Sequence, residues 1–426
     1  MGLNSPLDEV LWYLPPHHIK QLRSDASADV VIIGGGMAGL TAAQAFAKKG
    51  CSVIVLEKNF CGAGASGKSS GFITPDSEFS LGSFVERYGP EKARLLWEFV
   101  ISGVTHIKHT IENYEIACNY AVQDTLVVAS TKQDYEKILV PEYAARIHLG
   151  YDTVLYPELS GVLNSEHYHG GISYGDTFGI NGYQYLQALK KTLTDQSVMI
   201  YEETPALELK KQLVITPYGQ VKAQYVVLCM DRFTPDLGAL STEIYHVQTF
   251  LMASDQLTDR ERALIFPLKP YMIWDTDLLY QYYRITRDNR MLLGGATLTQ
   301  TYASKAHHDN TAMYAKLTSY WASKFPQVKP QFRYMWPGLI GVSKDIMPLA
   351  GHDTHDASRY YVAAAAGLPW AAALGSYAAD VLLDGRSELD EYFNPYRHFT
   401  FGPGIQRILG TRLTFALSHV TSLKSF

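Results

Sequence analysis

The sequence of 426 residues lacks several features that would direct its interpretation elsewhere. Its four cysteines, Cys51, Cys61, Cys118 and Cys229, form no CxxC pair, so neither a disulfide framework nor a zinc cluster is expected, and a reducing compartment such as the cytoplasm is predicted. No uncharged apolar run reaches the roughly 18 residues that a membrane-spanning helix needs. The N-terminus has no basic segment followed by an apolar one, so no secretory signal is predicted.

An excess of charge of one sign is also lacking. Lysine and arginine number 37 against 42 aspartates and glutamates, and a net charge of -5 gives no indication of a nucleic-acid partner. Hydrophobic content of 47% and charged content of 19% are ordinary for a globular protein. The length predicts two domains or one elaborated domain.

One stretch near the N-terminus carries a nucleotide-binding pattern. A β-branched run, Val30 to Ile33, predicts a strand buried on both faces. An Ala-rich helix is predicted over Leu40–Lys49, and a second strand over Ser52–Leu56 ends at Glu57, about 20 residues past the glycines, as the dinucleotide fingerprint requires. The glycines at GxGxxG spacing are Gly34, Gly36 and Gly39.

Each position of this fingerprint has a physical role. Gly34 permits the tight turn, Gly36 lets a pyrophosphate approach the backbone, and Gly39 lets the helix pack on the strand. The amides and the positive dipole end at the helix N-terminus suit phosphates. Glu57 can accept hydrogen bonds from ribose hydroxyls and would repel a 2′-phosphate. An ordinary glycine turn in an α/β domain is the alternative.

Patterns further along the chain place the remaining elements. The small residues of Cys61 to Pro75 predict either a loop beside the cofactor or a flexible surface loop. Helices are predicted over 82–112, over 133–150 and after Gly170, a strand pair over 115–129, and strands at 198–203 and 225–229. Residues 1–28 are predicted to lie as a leader, with Trp12, Tyr13 and Pro15-Pro16, across the first domain.

A hairpin is predicted to turn at Asp288-Asn289. Period-two alternation places Tyr280, Tyr282 and Arg284 on one face of its first strand. The other face carries Leu279, Gln281, Tyr283 and Ile285. The chain then continues through MWPGLIGVSKDIMPLAG to the strand YYVAAAA and a helix that begins after Gly367.

The tail from Phe401 to Phe426 is basic and amphipathic, with Arg407 and Arg412 and no acidic residue. Such a helix could lie on a membrane surface, cap the core of the protein or form a homodimer contact. The residues that approximate one helical face are Ile405, Ile408, Leu409, Leu413, Ala416, Val420 and Leu423.

Taken together, these motifs resemble the D-amino-acid-oxidase-like superfamily of FAD-dependent oxidoreductases, which includes glycine, sarcosine and gamma-glutamylputrescine oxidases. The matching segments are the fingerprint with Glu57, GAGASG (62–67), YYRITRDNRMLLGG (282–295), WPGLIG (336–341), DIMPLAG (345–351) and the helix spanning Gly367 to Gly375. They cover nearly the whole chain before the tail.

The resemblance implies an α/β fold, with a Rossmann-like FAD-binding domain of the glutathione-reductase type and an α+β substrate domain on an antiparallel sheet. It implies FAD-binding segments 1–95, 165–235 and 331–400, substrate-domain segments 96–164 and 236–330, and a tail of 401–426. The residues expected to contact FAD are Gly34, Gly36, Met37, Ala38, Gly39, Glu57, Lys58, Ala65, Ser66, Ser69, Ser70, Gly71, Ala206, Gly338, Gly367 and Leu368.

Three departures from the family pattern narrow the expectation. Where amino-acid oxidases of the family carry an arginine that clamps the substrate carboxylate, this chain has Ile340, which disfavours a small α-amino acid. Where sarcosine oxidases tether flavin through a cysteine, this chain has 342–344 (VSK), and 68–70 (KSS) contains no histidine, so non-covalent FAD is predicted. No lysine that would activate oxygen occurs at 291–293, which leaves O2 or another electron acceptor open.

Four residues are candidates for contact with substrate or flavin. Arg284, with Tyr282 beside it, is the first candidate for contact with substrate. The alternative is that Arg284 forms an ion pair at the domain interface, and the sequence pattern fits both roles equally. His246 could face the flavin or be a buried structural histidine. Trp336 could line the flavin-binding cavity or belong to the hydrophobic core. The histidine pairs 106/109 and 352/355 have no defined third ligand, so no metal site is predicted.

The predicted function is oxidation of a primary or secondary amine by hydride transfer to flavin N5, which gives an imine that hydrolyses. One alternative is an amino-acid oxidase or dehydrogenase that uses Arg284 as the clamp. Another is a flavoprotein with a binding or assembly role, docked by its tail. The protein is expected in the cytoplasm or peripherally on the inner face of a membrane.

Overall fold

The nucleotide-binding pattern folds into the predicted strand, turn and helix in the computed structural model, which describes residues 9–14, 19–76, 78–296, 301–302 and 310–424. Strand β1 (Ala26–Ile33) leads through the glycine turn into helix α1 (Met37–Lys48), and strand β2 (Val53–Leu56) follows. Val30 to Ile33 are at most 4% exposed, because β1 lies inside its sheet and is covered on both faces. The prediction for this unit is confirmed.

The remaining elements of the described residues follow in chain order. The strands are β3 (Phe72–Ile73), β4 (Ala121–Val122), β5 (Thr125–Val128), β6 (Val154–Tyr156), β7 (Gly171–Tyr174), β8 (Phe178–Gly179), β9 (Met199–Tyr201), β10 (Glu208–Lys210), β11 (Leu213–Thr216), β12 (Gly219–Leu228), β13 (Tyr245–Gln256), β14 (Met272–Asp275), β15 (Tyr282–Ile285), β16 (Arg290–Gly295), β17 (Phe332–Val342), β18 (Leu349–His352) and β19 (Arg359–Ala363). The α-helices are α2 (Ala65–Lys68), α3 (Leu81–Tyr88), α4 (Pro90–Asn113), α5 (Lys132–Asp134), α6 (Val140–His148), α7 (Gly182–Asp195), α8 (Asp259–Ile265), α9 (Asn310–Lys324), α10 (Leu368–Asp384), α11 (Asp390–Phe393), α12 (Pro403–Leu409) and α13 (Thr411–Lys424). A π-helical turn (Tyr135–Leu139) joins α5 to α6, and a 3-10 helix (Asp231–Leu237) follows β12.

The first sheet has the order β10-β11-β12-β1-β2-β9, and β19 joins it on β12 with β18 beyond. Strand β1 pairs in parallel with both β2 and β12, and β12 pairs in parallel with β19. Parallel neighbours require crossover connections, which α1 provides between β1 and β2. Helices α1 and α10 pack closely on this sheet, where Gly375 lies against the Ala38 carbonyl.

The second sheet has the order β17-β13-β16-β15-β14-β5-β7-β6. All its neighbours are antiparallel except β14 and β5. The hairpin turns at the predicted place, with Asn289 at φ 61°. Tyr283 and Ile285 belong to the main core of this sheet, and Tyr282 packs on its other face with Trp336. The fold is therefore the predicted one, an α/β nucleotide-binding unit combined with a largely antiparallel sheet.

Two predicted elements are wrong in detail. The helix predicted over 82–112 is interrupted at Gly89, whose φ of 79° ends α3, and Pro90 begins α4. The strands predicted as a pair over 115–129 do not pair with each other. Instead β4 pairs with β8, and β5 pairs with β7 and β14.

The apolar face predicted for the tail is also wrong, because Gly410, at φ 78°, separates α12 from α13 and changes the helical phase. The side chains that α13 buries are Thr414, Phe415, Ser418 and His419. His419 contacts the Ser343 carbonyl through Nε2 at 2.7 Å. The apolar side chains left exposed are Ile405, Ile408, Leu409, Leu413 and Leu417. No helix in the described ranges is long and apolar enough to cross a bilayer.

Candidate cofactor and active site

A cavity of about 820 Å³ opens where the first strands of the nucleotide-binding sheet end. This volume lies near the upper end of the roughly 300–1,000 Å³ that is usual for ligand sites. Residues that are far apart in sequence form its wall. They come from 33–38 (except Gly35), 56–59, 62–69 (except Gly67), 205–207, 229–233, and Gly367 with Leu368. The cavity therefore extends the length of the glycine turn and reaches strand β17, from which Pro337, Leu339 and Ile340 contribute.

Most of the residues expected to contact FAD line this cavity. They are Gly34, Gly36, Met37, Ala38, Glu57, Lys58, Ala65, Ser66, Ser69, Ala206, Gly367 and Leu368. Four others are not among the lining residues: Gly39, Ser70, Gly71 and Gly338. Gly338 nevertheless lies between two residues that do line the cavity, and Ser70 directly follows another.

The glycine turn depends on close backbone contacts. Gly34 has a φ of 114°, and a Cβ there would lie 2.3 Å from the Cys229 carbonyl oxygen. A Cβ at Gly39 would lie 1.9 Å from the Gly34 carbonyl oxygen, so helix α1 could not pack as it does. Gly36 is different, because a Cβ there would meet only the Ser66 hydroxyl, at 3.3 Å.

Two helices present uncapped N-termini to the cavity. Helix α1 begins after Gly36 and helix α10 begins after Gly367, and neither has a side-chain cap or an acidic residue in its first turn. The amide of Met37 donates to the Ser66 hydroxyl at 3.1 Å. The other first-turn amides and the positive dipole ends remain to bind negative groups. This arrangement fits a pyrophosphate at one helix and a second electron-rich group at the other.

Glu57 ends β2 at the cavity wall and is held by the backbone. Its Oε2 accepts from the Gly35 amide at 2.7 Å, and its Oε1 accepts from the Asn59 amide at 2.8 Å. Burial raises the pKa of Glu57, and these two amides oppose that shift. Each carboxylate oxygen retains a lone pair, so the residue can still accept from ribose hydroxyls.

Three cations also line the cavity, and the sequence analysis predicted only the first of them: Lys58, Lys68 and Arg232. Burial lowers the pKa of each, and the charge of Arg232 lowers the pKa of both lysines further. Lys58 and Arg232 both lie against the Phe233 ring, with centroid distances of 3.0 and 3.8 Å. A bound pyrophosphate would relieve this crowding of positive charge, which is a further way in which the cavity fits FAD.

Asp231 connects three parts of the cavity wall and was missed by sequence reasoning. Its carboxylate accepts from the Gly341 amide at 2.6 Å and the Ala364 amide at 3.0 Å, and also from the Arg232 amide. Burial raises its pKa, and these amides oppose that shift. Asp231 follows β12 in an ordinary position, and no local pattern distinguishes it from a surface residue.

The N-terminal leader makes direct hydrogen bonds to the loop of residues 62–70, here called the cofactor loop, which the sequence does not indicate. Trp12 donates from Nε1 to the Gly67 carbonyl at 2.7 Å, and Tyr13 donates to the Gly62 carbonyl at 3.0 Å. The Trp12 ring also meets Trp336 edge-on at 4.8 Å. The leader therefore fixes the loop that carries Ala65 to Ser69. Pro15-Pro16 lies outside the described residues.

Arg284 is buried, with 1% of its surface exposed. Its Nε donates to the Ser70 carbonyl at 2.7 Å and its Nη2 donates to the Ile180 carbonyl at 2.6 Å, while Nη1 has no hydrogen-bond partner in the described chain. The guanidinium thus holds the backbone of the cofactor loop. This geometry favours a structural role over the predicted substrate contact.

We expect Arg284→Met to destabilise the protein by about 3 kcal/mol, because two buried carbonyls lose a charged donor. Urea denaturation of the holoprotein measures this change. The surface variant Arg333→Met, whose partner Asp255 is exposed, is the matched control and should cost less than about 1 kcal/mol. Equal stability of the two variants would contradict the structural role.

The other catalytic candidates are not among the residues that line the cavity. Trp336 is 1% exposed and donates from Nε1 to the Lys68 carbonyl at 2.9 Å. His246 pairs with Gly341 across β13 and β17, and its ring stacks on Tyr245 at 4.5 Å. Tyr282 contacts the Thr249 hydroxyl at 3.3 Å, and Thr249 pairs with Gly338. Among the described residues no group of His, Cys, Asp or Glu is arranged to hold a metal.

Comparison with known proteins agrees with this geometry. The chain is 27% identical over 337 residues to the probable oxidoreductase OrdL of Haemophilus influenzae, covering 76% of this chain and 75% of that protein. It is 27% identical over 413 residues to gamma-glutamylputrescine oxidoreductase of Escherichia coli, covering 90% of each. The crystal structure of glycine oxidase from Geobacillus kaustophilus superposes with a TM-score of 0.74 at 19% identity, over 88% of this chain and 100% of that one.

The family profile described as FAD dependent oxidoreductase (DAO) matches residues 29–381. That span begins at the strand that leads into the glycine turn and ends within α10, whose N-terminus closes the cavity. It thus includes both helix N-termini, Glu57, the cations and Asp231. A cavity with these groups, inside a match of this extent, shows that the chain is an enzyme that belongs to the DAO family of FAD-dependent oxidoreductases.

Proposed function

We propose that this enzyme oxidises a primary or secondary amine. The C–H bond next to nitrogen breaks, its hydrogen and two electrons pass to FAD, the N–H proton passes to water, and the resulting imine hydrolyses to a carbonyl compound and an amine or ammonia. FAD, when bound, supplies the electron acceptor. The observation that carries the proposal is Ile340 at the cavity wall, because an apolar side chain at this position offers no bidentate contact to a substrate carboxylate.

Residues of the chain would orient the cofactor. We propose that the turn from Gly34 to Gly39 holds the pyrophosphate, Glu57 the ribose, and Ala206 the adenine. The loop from Ser66 to Gly71 would lie along the ribityl chain and the ring. The N-terminus of α10 at Gly367 would stabilise negative charge on the ring edge.

Non-covalent attachment of FAD is part of this proposal. Cys229 lines the cavity, but burial raises the pKa of its thiol to about 12, so it is a poor nucleophile. No histidine lines the cavity within the described residues. FAD should therefore appear in the supernatant after the protein is precipitated with acid.

The amino-acid alternative receives less support from the geometry. It needs Arg284 as the carboxylate clamp, and two of its nitrogens already donate to backbone carbonyls. The names of similar proteins include oxidoreductases of both an amine and amino acids.

The test is anaerobic mixing of the holoenzyme with alkylamines, N-methylated amines, diamines and D- and L-amino acids, followed by admission of air. We expect amines to bleach the flavin absorbance and amino acids to leave it unchanged. Fast recovery of colour in air would identify O2 as the acceptor. Bleaching by amino acids alone would overturn the proposal.

The tail provides a separate surface, defined by exposed Ile405, Ile408 and Leu413 with Arg407 and Arg412. A contact of this surface with an anionic membrane or with a second copy of the chain stays a prediction. Ile408→Asp removes the most exposed apolar side chain without touching the buried face of α13. Liposome co-sedimentation and light scattering of this variant and the parent protein distinguish the two contacts.

A further inference from the structure

A cluster of aromatic rings lies beside a partly buried carboxylate near the cofactor cavity. The rings of Phe72 and Trp274 stack at 5.3 Å, and Phe72 meets Tyr282 edge-on at 5.9 Å. Tyr280 lies 6.2 Å from Trp274 and 5.9 Å from Tyr282. Its hydroxyl donates to Oε1 of Glu78 at 3.0 Å. We refer to Glu78 and these four rings as the aromatic cage.

The cage carboxylate has no cation of its own. Across residues 9–14, 19–76, 78–296, 301–302 and 310–424, no lysine, arginine or histidine forms an ion pair with Glu78, and Tyr280 is its one hydrogen-bond donor. An ionised carboxylate can accept about four hydrogen bonds. An ionised carboxylate that is shielded from water and has no cation beside it is unfavourable. A positively charged ligand bound at Glu78 would therefore stabilise it.

The cage is also accessible. Glu78, Trp274, Tyr280 and Tyr282 are each only partly buried, although they lie deep enough for burial to be the main cause of the raised pKa of Glu78 and of both tyrosines. A closed hydrophobic core would leave these side chains no accessible surface. The cage is therefore not sealed inside a closed core.

The position of the cage connects it to the cofactor cavity. Phe72 follows Ser69 by three residues, and Ser69 lines that cavity. Tyr282 reaches the Thr249 hydroxyl, and Thr249 pairs with Gly338, which lies between the lining residues Pro337 and Leu339. The cage and the cofactor cavity are thus neighbours across β15, β16, β13 and β17.

Aromatic rings next to a carboxylate form a binding site that suits an organic cation. An ammonium over an aromatic face gains cation–π attraction, and the carboxylate adds a charge-assisted hydrogen bond. The nitrogen that is oxidised must be neutral when its C–H bond breaks, whereas the cage favours a charged nitrogen. The nitrogen in the cage is therefore not the one that reacts.

We propose, on the basis of the amine oxidation proposed above, that the substrate carries a second, cationic nitrogen and that the cage of Glu78, Phe72, Trp274, Tyr280 and Tyr282 holds it. The substrate class is a diamine or polyamine, anchored at one end while the other end reacts. Glu78 is then a specificity residue that binds substrate without taking part in bond breaking.

The test compares diamines from diaminopropane to diaminooctane with alkylamines of the same chain length, using anaerobic flavin reduction of the holoenzyme. We expect the best diamine to have an apparent dissociation constant about 100-fold lower than its matched alkylamine. In Glu78→Gln this preference should fall to less than about threefold, because the carboxylate that holds the second nitrogen is removed. Equal affinity for both ligands in the parent enzyme would overturn the proposal.

Asp275→Asn is the matched control. Asp275 is also a buried carboxylate, and it follows Trp274, so it points to the opposite face of the sheet, where it accepts from Tyr320. This variant should keep the diamine preference. An equal loss of diamine and alkylamine turnover in Glu78→Gln would instead indicate a proton acceptor or a structural role, and would also overturn the proposal.

The preference should depend on pH with a predictable sign. The pKa of Glu78 is raised to about 7 by burial, so its carboxylate forms, and diamine affinity increases, as pH rises through about 7. The ionisable groups that interact with Glu78 are Tyr280, Tyr282 and Tyr302, and they remain neutral in this range. Asp76, which acts on Tyr280, has its pKa raised by burial to about 6 and so ionises at lower pH. Tyr280→Phe removes the donor that lowers this pKa, so the midpoint should move to higher pH. A pH profile that is unchanged in Glu78→Gln would contradict the assignment.

Calorimetric titration of the holoenzyme with diaminobutane separates this proposal from the proposed function. Binding that is lost in Glu78→Gln, without bleaching by any amine, would mean that amine oxidation fails while the cage binds cations. Bleaching by alkylamines without any diamine preference would mean that the function stands and the cage proposal fails.

Discussion

Gly36→Asp is expected to abolish tight FAD binding while the protein stays folded. The backbone at Gly36 has φ -86° and ψ -167°, which any residue can adopt, and a Cβ there meets only the Ser66 hydroxyl. The new carboxylate would lie at the N-terminus of α1, where the pyrophosphate is proposed to bind. A carboxylate placed against a pyrophosphate costs several kcal/mol of repulsion, so we expect the affinity for FAD to fall about 100-fold or more.

Fluorescence titration of the apoprotein with FAD measures this loss, and circular dichroism checks the fold. The matched control is Gly404→Asp, the same substitution at a glycine with nothing within 4 Å of its Cβ, in helix α12. That variant should bind FAD as the parent protein does. Parent-like affinity in Gly36→Asp would mean that the pyrophosphate does not bind at this turn.

Asp231→Ala is expected to cause the largest loss of stability. The amides of Gly341, Ala364 and Arg232 would lose a shared charged acceptor. A hydrogen bond to a charged group contributes about 1.5–3 kcal/mol, and water can replace some of what is lost. The free energy of unfolding should therefore fall by roughly 4 kcal/mol. Asp231→Asn keeps one acceptor oxygen and should lose about half as much.

Denaturant unfolding of the apoprotein measures these free energies. Titration of the folded variants with FAD measures whether the cavity still binds the cofactor. Asp255→Ala is the control, because Asp255 forms a solvent-exposed pair with Arg333 and should cost less than about 1 kcal/mol. If Asp231→Ala behaved like this surface variant, Asp231 would not be what connects the wall formed by β12, β17 and β19.

The sequence predicted the glycine turn well, because the turn is encoded locally. Gly34, the helix that follows it and Glu57 lie within one short unit whose residue types each meet a local requirement. The hairpin at Asn289 was predicted for the same reason. The whole-chain resemblance then gave the family and the fold, because several separate motifs occurred in the expected order.

What the sequence did not give are contacts between distant segments. Asp231 and Gly341 are 110 positions apart, and the Trp12 contact with Gly67 spans 55. Gly89 and Gly410 each change the course of a helix that periodicity alone would extend. The sequence left Arg284 open between a substrate contact and an interface ion pair. Its donation to the Ser70 and Ile180 carbonyls depends on segments far away in the chain, which no local pattern indicates.

The most direct test of the central claim is the stoichiometry of an anaerobic single turnover, in which the carbonyl product is measured against the flavin reduced. With the parent holoenzyme and a diamine that bleaches it, we predict one carbonyl compound formed for each FAD reduced. Flavin reduction without any carbonyl product, or a flavin that no amine reduces, would contradict the account.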